Sequence, residues 1–335
     1  MEYGDEREKR KRPMIPPKDK LTICFAHVAY GFMPQFAKRK TGINSFQVWN
    51  RDELDARVGE ADVLVISGLW RNDLVDKAHR IRFIQSIGAG TDQFGRDVLA
   101  AKGIRLASAS GVNVKAVSEH AMALILALAR RLPEARDNQR KHHWRGMIGD
   151  LTQREDELGG KTLVIVGLGN IGGRLAQLAK AFDMHVIGVR RDPAAGKGAA
   201  DSVHAIAELK SLLPQADIVA LTCPLTRETE NLIDADALGR MKKSAYLINT
   251  ARGKVVNEAA FIATMQAAGI AGAGIDVTPE DPLPATSPLW DLPNTFITPH
   301  TAGETRRYED NVLDVLEENL QRLWKGGATL RNQIL

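Results

Sequence analysis

The stretch Leu163-Val-Ile-Val-Gly167-Leu-Gly169-Asn-Ile-Gly172-Gly173 decides the fold class of this chain. An apolar run typical of a buried strand leads directly into the pattern G-x-G-x-x-G, and the residues that follow favour a helix. In such a loop Gly167 permits a tight turn, Gly169 lets the backbone approach a pyrophosphate, and Gly172 allows close packing of helix on strand. The unpaired N–H groups at the helix start can face phosphates. The pattern therefore predicts a dinucleotide-binding loop made of Gly167, Leu168, Gly169, Asn170, Ile171 and Gly172.

Short apolar segments alternate with helix-compatible segments on both sides of this loop. Residues 114–132 are rich in Ala and Leu and predict a buried helix, while residues 304–325 predict a last helix that ends at Gly326-Gly327. Strands that alternate with helices at this spacing predict right-handed βαβ units and parallel sheets. The predicted strands begin at Leu21, Ala61, Ile81, Gly103, Lys161, His185, Asp217, Ala245, Gly272 and Thr295.

Composition and charge exclude several classes of protein. The 335 residues include 45 Lys and Arg against 41 Asp and Glu, a net charge of +4, and no basic stripe with aromatics is present, so nucleic-acid binding is not expected. The longest strongly apolar run, 121–129, is shorter than the about 20 residues of a spanning helix, so no membrane association is expected. Only Cys24 and Cys223 occur, which predicts no disulfide scaffold and no metal site and favours a reducing, cytoplasmic location. Prolines and charges interrupt residues 1–20, which are expected to be a flexible arm rather than a signal peptide.

The end of the second strand after the glycine loop carries the signal for cofactor choice. An acidic residue about 20 positions after such a loop commonly binds the ribose 2′-hydroxyl of NAD. Arg190-Arg191 occupies this position here, and arginine favours a 2′-phosphate through charge and bidentate hydrogen bonding. NADP(H) is therefore the expected cofactor, with NAD(H) as the alternative. Arg190 could instead stack on the adenine, or Asp192 could reach the ribose.

Five ordered motifs connect this chain to a known family. They are Gly88-Ala-Gly90-Thr-Asp92, Gly167-Leu-Gly-Asn-Ile-Gly172, Asn249-Thr-Ala-Arg252-Gly253, Gly274-Ile-Asp276-Val277 and Thr298-Pro-His300-Thr-Ala-Gly303. With these motifs the chain resembles the D-isomer-specific 2-hydroxyacid dehydrogenases, the group that contains glyoxylate and hydroxypyruvate reductases. The resemblance covers essentially everything after the first 20 residues.

The resemblance implies an α/β architecture of two doubly wound parallel-sheet domains. A flavodoxin-like substrate domain is expected from residues 21–112 plus 304–335, and a Rossmann NAD(P)-binding domain from residues 113–303 is expected to be inserted into it. A homodimer is also expected from the resemblance. Trp144 lies in the segment that contacts the partner subunit in relatives, and the alternative is that it is a packing aromatic.

Two side chains fit the chemistry of 2-oxo acid reduction, which needs a hydride donor, a cation for the carboxylate and carbonyl oxygens, and a proton for the forming alkoxide. Arg252 offers a guanidinium fork after a predicted strand end. His300 also follows a strand end, and imidazole exchanges a proton near neutral pH. In the family that the chain resembles, the positions that match Arg252 and His300 carry these catalytic roles. The alternatives are a surface ion pair for Arg252 and a structural role for His300.

The third catalytic position departs from the family pattern. Relatives usually carry Glu before a proline at this point, whereas here Asp281 precedes Pro282. A carboxylate there is expected to orient the imidazole and keep its proton available. Asp281 is the predicted partner of His300, and the adjacent Glu280 is the alternative. The pair could also be a solvated turn.

Further roles are implied by the resemblance alone. Asp276 corresponds to the residue that hydrogen-bonds the nicotinamide carboxamide, and Ala89 and Gly90 to backbone donors for the substrate carboxylate. Trp70 lines the substrate pocket or is a packing aromatic. For Glu119-His120, inside the predicted helix, a hydrogen bond across the helix is expected. The remaining predicted cofactor contacts are Thr222, Cys223, Pro224, Thr250, Ala251, Ala302 and Gly303.

The predicted function is the reduction of a small 2-oxo acid such as glyoxylate or hydroxypyruvate by NADPH, giving the D-2-hydroxy acid. One alternative is a nucleotide-sensing scaffold similar to the C-terminal-binding-protein corepressors, with little turnover. Another is an NAD-dependent formate- or phosphite-type dehydrogenase. Formate enzymes carry Gln where Asp281 lies, so this carboxylate disfavours them.

Overall fold

The computed structural model describes residues 14–327 and 329–335. The chain divides into two compact units. Unit 1 contains the described residues up to Val112 together with Thr305–Leu335, and unit 2 is Asn113–Glu304. The helix-and-strand alternation predicted from the sequence is present in both.

Unit 1 is built on a parallel five-stranded sheet in the order β2-β1-β3-β4-β5. Successive residues of β1 face opposite sides: Ile23 and Phe25 join one apolar cluster, while Cys24 belongs to the other. Both faces of the sheet are therefore covered, as parallel sheets require. The strands are β1 Thr22–Ala26, β2 Asn44–Val48, β3 Val63–Ile66, β4 Phe83–Ser86 and β5 Arg105–Ala107; the helices are α1 Phe32–Lys38, α2 Arg51–Arg57, α3 Arg96–Ala101 and the C-terminal helix Tyr308–Trp324.

Unit 2 contains a parallel seven-stranded sheet in the order β12-β11-β10-β9-β6-β7-β8. The strand order reverses direction between β6 and β9, and in open α/β sheets ligands bind beside the carboxyl ends of the strands at this point. The strands are β6 Thr162–Val166, β7 His185–Arg190, β8 Ser202–Ala205, β9 Ile218–Leu221, β10 Tyr246–Asn249, β11 Gly272–Ile275 and β12 Thr295–Ile297. The helices are α4 Val114–Ala129, α5 Leu132–Arg140, α6 Asn170–Ala181, α7 Leu209–Leu212, α8 Ala235–Arg240 and α9 Glu258–Gln266. These two sheets confirm the predicted fold class.

Several element boundaries differ from the prediction. The strands β2 and β8 were not predicted, because both lie at sheet edges and lack the apolar run of a central strand. The helix predicted over 114–132 ends at Ala129, and Arg131, in the left-handed region at φ 50°, separates α4 from α5. The last helix begins at Tyr308, later than predicted, and ends where the Gly327 N–H donates to the Arg322 carbonyl.

The predicted flexible arm differs in its last residues. Residues 1–13 of the arm lie outside the described residues. In the rest of it, Ile15 is buried in the apolar cluster of unit 1, and the Trp324 indole N–H donates to the Pro16 carbonyl at 2.8 Å. This end of the predicted arm is therefore attached to unit 1 at Ile15 and Pro16.

In the described part of the chain, every helix is too short or too polar to span a bilayer.

Candidate active site

The predicted dinucleotide loop joins β6 to α6, and its backbone excludes side chains at two positions. Gly167 has φ 103°, and a Cβ atom there would lie 2.5 Å from the Cys223 nitrogen. A Cβ atom on Gly172 would lie 2.4 Å from the Gly167 carbonyl oxygen. Glycine at both positions is thus required by the close approach of β6, α6 and the residues after β9.

The space in front of the same loop is open. A Cβ atom on Gly169 would meet no protein atom within 4 Å. Since α6 begins at Asn170, the N–H groups of its first turn have no carbonyl partner within the helix. Unpaired N–H groups beside open space fit a pyrophosphate, so the loop fits a dinucleotide cofactor.

At the end of β7 the side chains have distinct partners. Arg190 Nη1 donates to the Gly196 carbonyl at 3.1 Å, and the exposed Arg191 lies 3.4 Å from a Glu228 carboxylate oxygen. The Asp192 carboxylate accepts the N–H of Ala194 at 3.0 Å. Asp192 therefore caps its own turn.

The residues after β9 and β10 line the carboxyl edge beside the glycine loop. The Thr222 hydroxyl donates to the Gly167 carbonyl at 2.9 Å, and the Thr250 hydroxyl donates to the Leu221 carbonyl. Burial raises the pKa of the Cys223 thiol to about 11, so the thiol is protonated at neutral pH and is a poor nucleophile. Pro224 and Ala251 complete this edge: the Pro224 carbonyl accepts the Thr229 hydroxyl, and Ala251 is buried.

The turn that carries Arg252 is held by the side chain of Asn249, the last residue of β10. Asn249 Oδ1 accepts the Ala251 N–H at 3.0 Å, and its Nδ2 donates to the Arg252 carbonyl at 3.1 Å. The Arg252 side chain is exposed, and Nη1 donates to the Ala251 carbonyl. Among the described residues no carboxylate pairs with this guanidinium, so the predicted alternative of a surface ion pair is not found.

The turn after Arg252 packs on the segment that leads to Asp281. A Cβ atom on Gly253 would lie 2.0 Å from the Thr278 carbonyl carbon and 2.2 Å from the Pro279 nitrogen. The strands β10, β11 and β12 are neighbours, and Arg252, Asp276 and His300 follow their carboxyl ends in that order. The sheet thus brings the three predicted positions to one edge.

His300 is hydrogen-bonded to Asp281. The imidazole Nδ1 contacts an Asp281 carboxylate oxygen, and both side chains are about half exposed. Glu280 is exposed, and its carbonyl accepts the Thr278 hydroxyl at 2.6 Å. Asp281, and not Glu280, is therefore the carboxylate beside the imidazole. With Nδ1 engaged, Nε2 is the nitrogen left to exchange a proton with a substrate.

The Asp276 side chain organises the turn around His300. It is only 2% exposed, and its carboxylate accepts the Thr298 hydroxyl at 2.6 Å and the N–H groups of Thr301 and Ala302 at 3.0 Å each. The Asp276 carbonyl accepts the His300 N–H at 2.9 Å. Because an ionised carboxylate offers about four acceptor sites, room remains for one further N–H. Gly303 follows directly after this turn.

His120 does not form the predicted hydrogen bond across α4. Its Nε2 lies 2.9 Å from the Thr298 hydroxyl oxygen and 3.5 Å from Asp276 Oδ1. The α4 backbone is close to β11, since a Cβ atom on Gly274 would lie 3.0 Å from Leu124 Cβ. The buried helix therefore brings His120 to the site.

In unit 1 the predicted substrate residues lie in separate environments. Ala89 is exposed and Gly90 half-buried in the loop after β4. Trp70 is 5% exposed, its indole N–H donates to Asn72 at 3.0 Å, and its ring centroid is 5.2 Å from that of Phe94. This geometry fits the packing aromatic of the two interpretations, and the pocket-lining role of Trp70 stays a prediction.

Three side chains for which the sequence predicted no role in the site contact its residues: Asn249, Thr298 and His120. An Asn at the end of a strand is a known signal for a side chain that bonds its own turn, so the role of Asn249 could have been predicted. Thr298 and His120 carry no local signal, because their contact joins residues 178 positions apart. Among the described residues no cluster of three or more His, Cys, Asp or Glu side chains could hold a metal ion.

Comparisons with known proteins agree with this architecture. A sequence model described as "D-isomer specific 2-hydroxyacid dehydrogenase, NAD binding domain" matches residues 122–302. The chain is 34% identical over 301 residues to glyoxylate/hydroxypyruvate reductase B of Yersinia enterocolitica, covering 86% of this chain and 89% of that protein. It is 32% identical over 281 residues to D-3-phosphoglycerate dehydrogenase of Methanocaldococcus jannaschii, covering 82% of this chain and 52% of the relative. The chain thus spans about half the length of that relative.

A solved structure gives the same result at the level of the fold. The NADPH-dependent glyoxylate/hydroxypyruvate reductase of Sinorhizobium meliloti superposes with a TM-score of 0.78 at 25% identity, covering 94% of this chain and 97% of that protein. The predicted resemblance is therefore confirmed. The chain belongs to the D-isomer specific 2-hydroxyacid dehydrogenase family of NAD(P)-dependent oxidoreductases.

Proposed function

We propose that this protein is an NADPH-preferring reductase of small 2-oxo acids such as glyoxylate or hydroxypyruvate, and that its product is the D-2-hydroxy acid. The observation that carries the proposal is the His300–Asp281 pair at the sheet edge where Arg252 also follows a strand end, its guanidinium without a carboxylate partner among the described residues. The names of the Yersinia and Sinorhizobium relatives support this substrate class.

Each residue has a role that follows from its chemistry. Arg252 binds the substrate carboxylate and polarises the carbonyl oxygen with its guanidinium fork. Ala89 and Gly90 are proposed backbone donors to the same carboxylate. When bound, the reduced nicotinamide supplies the hydride that is added to C2. His300 donates the proton from Nε2 to the forming alkoxide oxygen, and Asp281 stabilises the imidazolium before this transfer.

The proposed cofactor contacts use the loop and strand ends of unit 2. The fourth acceptor site of Asp276 suits one amide N–H of the nicotinamide carboxamide. The glycine loop suits the pyrophosphate. The further proposed contacts are Thr222, Cys223, Pro224, Thr250, Ala251, Ala302 and Gly303.

The proposed preference for NADP(H) rests on the end of β7. Its last residue, Arg190, occupies the position where an acid would bind the ribose 2′-hydroxyl. Arg190 and Arg191 would therefore contact a 2′-phosphate.

We also propose a homodimer in the cytoplasm. Trp144, Met147 and Leu151 form a stretch of large, exposed apolar side chains in unit 2, and such stretches are typical of subunit interfaces. Cys24 and Cys223 are free and buried, which suits a reducing compartment.

A steady-state assay tests the proposal. NADPH and NADH oxidation would be followed with glyoxylate, hydroxypyruvate, pyruvate, phenylpyruvate and 3-phosphohydroxypyruvate, the last because of the phosphoglycerate dehydrogenase relative. We expect turnover with the smallest 2-oxo acids and at least about tenfold higher kcat/KM with NADPH. His300→Asn should lower kcat by about 100-fold or more without changing cofactor affinity.

Different outcomes would contradict different parts of the proposal. A tenfold preference for NADH would show that the interpretation of Arg190 is wrong. No turnover with any of the five acids would favour the scaffold alternative. Reduction of NAD by formate or phosphite would identify the other alternative.

A further inference from the structure

His120, on the buried helix α4, reaches the turn that presents His300. Its ring is 22% exposed, and Nε2 is 2.9 Å from the Thr298 hydroxyl oxygen. The contact links α4 to the residue that precedes Pro299-His300.

The hydrogen-bond pattern decides which ring nitrogen of His120 carries a proton. The Asp276 carboxylate accepts two backbone N–H groups besides the Thr298 hydroxyl, so it acts only as an acceptor. The single proton of the Thr298 hydroxyl is therefore directed at Asp276, at 2.6 Å. The hydroxyl oxygen can then only accept from His120, which must carry a proton on Nε2.

The resulting series of hydrogen bonds runs from His120 Nε2–H to Thr298 Oγ1–H to Asp276 Oδ1. Asp276 in turn holds the active-site turn. The Asp276 carbonyl accepts the His300 N–H, and its carboxylate fixes the two residues after His300. His300 itself has φ 55°, a left-handed conformation that non-glycine residues adopt only when their surroundings impose it.

We propose that His120 is a positioning residue. By donating from Nε2 it orients the Thr298 hydroxyl toward Asp276, and so fixes the turn in which His300 delivers its proton. This inference rests on the proposed function insofar as His300 is the proton donor. It goes beyond it by assigning a role to a helix residue that does not belong to the Arg252, Asp281 and His300 set.

Paired variants separate the effect of the hydrogen bond on kcat from the effect of side-chain shape. His120→Phe and Thr298→Val keep the approximate volume and remove the link, whereas His120→Gln and Thr298→Ser keep a donor and a hydroxyl. Thr295→Val is the matched control, since among the described residues the hydroxyl of this threonine on β12 donates only to the Pro293 carbonyl, at 3.4 Å. We expect kcat to fall about tenfold in the first two variants, with KM for the 2-oxo acid changed less than about threefold.

The conservative and double variants test whether the hydrogen bond between His120 and Thr298 causes the effect. The Gln and Ser variants and Thr295→Val should stay within about threefold of the wild-type kcat. The double variant His120→Phe/Thr298→Val should be no slower than either single variant, because the two substitutions break one chain. Full kcat in His120→Phe would overturn the proposal, and so would a His120→Gln variant as slow as His120→Phe.

A spectroscopic measurement does not depend on turnover. Long-range ¹H–¹⁵N correlation spectra of protein labelled in its eight histidines, assigned by loss of signals in His120→Gln, report which ring nitrogen is protonated. We expect a protonated Nε2 and an unprotonated Nδ1 in neutral His120, and a changed Nε2 signal in Thr298→Val. A proton on Nδ1 alone would overturn the proposed link. If the wild-type protein reduces none of the 2-oxo acids, the proposed function fails, and this measurement still decides the inference.

Discussion

The carboxylate beside His300 shows how backbone placement compensates for side-chain length. Asp281 is one methylene shorter than the glutamate usual in the family, yet it contacts the imidazole Nδ1. The preceding Thr278 and Pro279 lie against Gly253 so closely that no side chain fits there. The position of this segment, and not the reach of the side chain, therefore brings the carboxylate to the ring.

Removing the negative charge of Asp281 tests whether this carboxylate supports proton donation by His300. Asp281→Asn keeps the shape but loses the charge that stabilises the imidazolium, so we expect kcat to fall by about 100-fold. Steady-state kinetics across pH would measure the effect. Glu280→Gln is the matched control, because this neighbour does not contact the ring, and it should keep the wild-type kcat. Equal losses in both variants would contradict the assignment of Asp281.

At the residue scale, the sequence predicted the parts of the site that depend on local order along the chain. Arg252 and His300 could be placed at one edge because each follows a strand in a parallel sheet. The choice between Asp281 and Glu280 required the structure, since adjacent residues differ only in the direction of their side chains. The contact of His120 with Thr298 also required it, because it depends on how a helix packs on a distant strand end.

Elements with a clear apolar pattern were predicted, whereas two of the four edge strands, β2 and β8, were not. Every strand predicted from an apolar run is present, with boundaries shifted by a few residues. The edge strand β8 has the sequence Ser-Val-His-Ala and is half-exposed along its length. Such a strand pairs on one side only, so its sequence does not need the apolar residues that identify a central strand.

The starts of three strands in unit 2 are joined through Asp217, just before β9. Its carboxylate accepts the Thr162 N–H and the Lys242 ammonium at 2.8 Å each, and its carbonyl accepts the Tyr246 N–H. Burial alone would raise the pKa of Asp217, but the hydrogen bonds from Lys242 and Thr162 outweigh it and hold the pKa below the ordinary value.

This lowered pKa gives a pH-dependent prediction for stability. A carboxylate whose pKa is lower in the folded state stabilises the fold above the unfolded-state value of about 3.9, and the effect is lost as the pH falls through the folded-state value. Asp217→Asn should therefore lower Tm by a few degrees at pH 7, corresponding to about 1–2 kcal/mol.

The comparison across pH is the informative part of that experiment. The difference in Tm should stay constant down to about pH 4 and shrink below it. Asp137→Asn, at an exposed position on α5, is the matched control and should leave Tm unchanged throughout. A Tm difference that grows on acidification would contradict the direction of the pKa shift.

At the scale of the whole molecule, the alternation of strands and helices was sufficient to predict two parallel-sheet units. Each sheet has both faces covered by apolar side chains, which is why central strands such as β3 and β9 are apolar throughout. The proposed dimer follows from no such periodicity, because a subunit interface depends on which apolar side chains stay exposed in the folded chain.

The exposed stretch after α5 makes the proposed dimer testable. Trp144 is 97% and Met147 105% exposed, so charged replacements should not disturb the fold of a subunit. We expect light scattering to give twice the chain mass of 36.7 kDa for the wild type and the single mass for Trp144→Asp/Met147→Asp. Trp290→Asp is the control for an exposed tryptophan elsewhere in unit 2 and should remain dimeric. A wild-type protein of single mass would contradict the homodimer.

The left-handed backbone at His300 restricts how this position can be redesigned. Residues with a Cβ atom lose about 1–2 kcal/mol in that region, Asn and Asp tolerate it best, and β-branched residues tolerate it worst. In a saturation library at position 300, inactive Val or Ile variants would lack the proton-donating imidazole and would also have a displaced main chain. An Asn variant would lack only the proton donor. A search for new proton donors at position 300 thus selects first for residues that tolerate the left-handed backbone, and only then for side chains that can donate a proton.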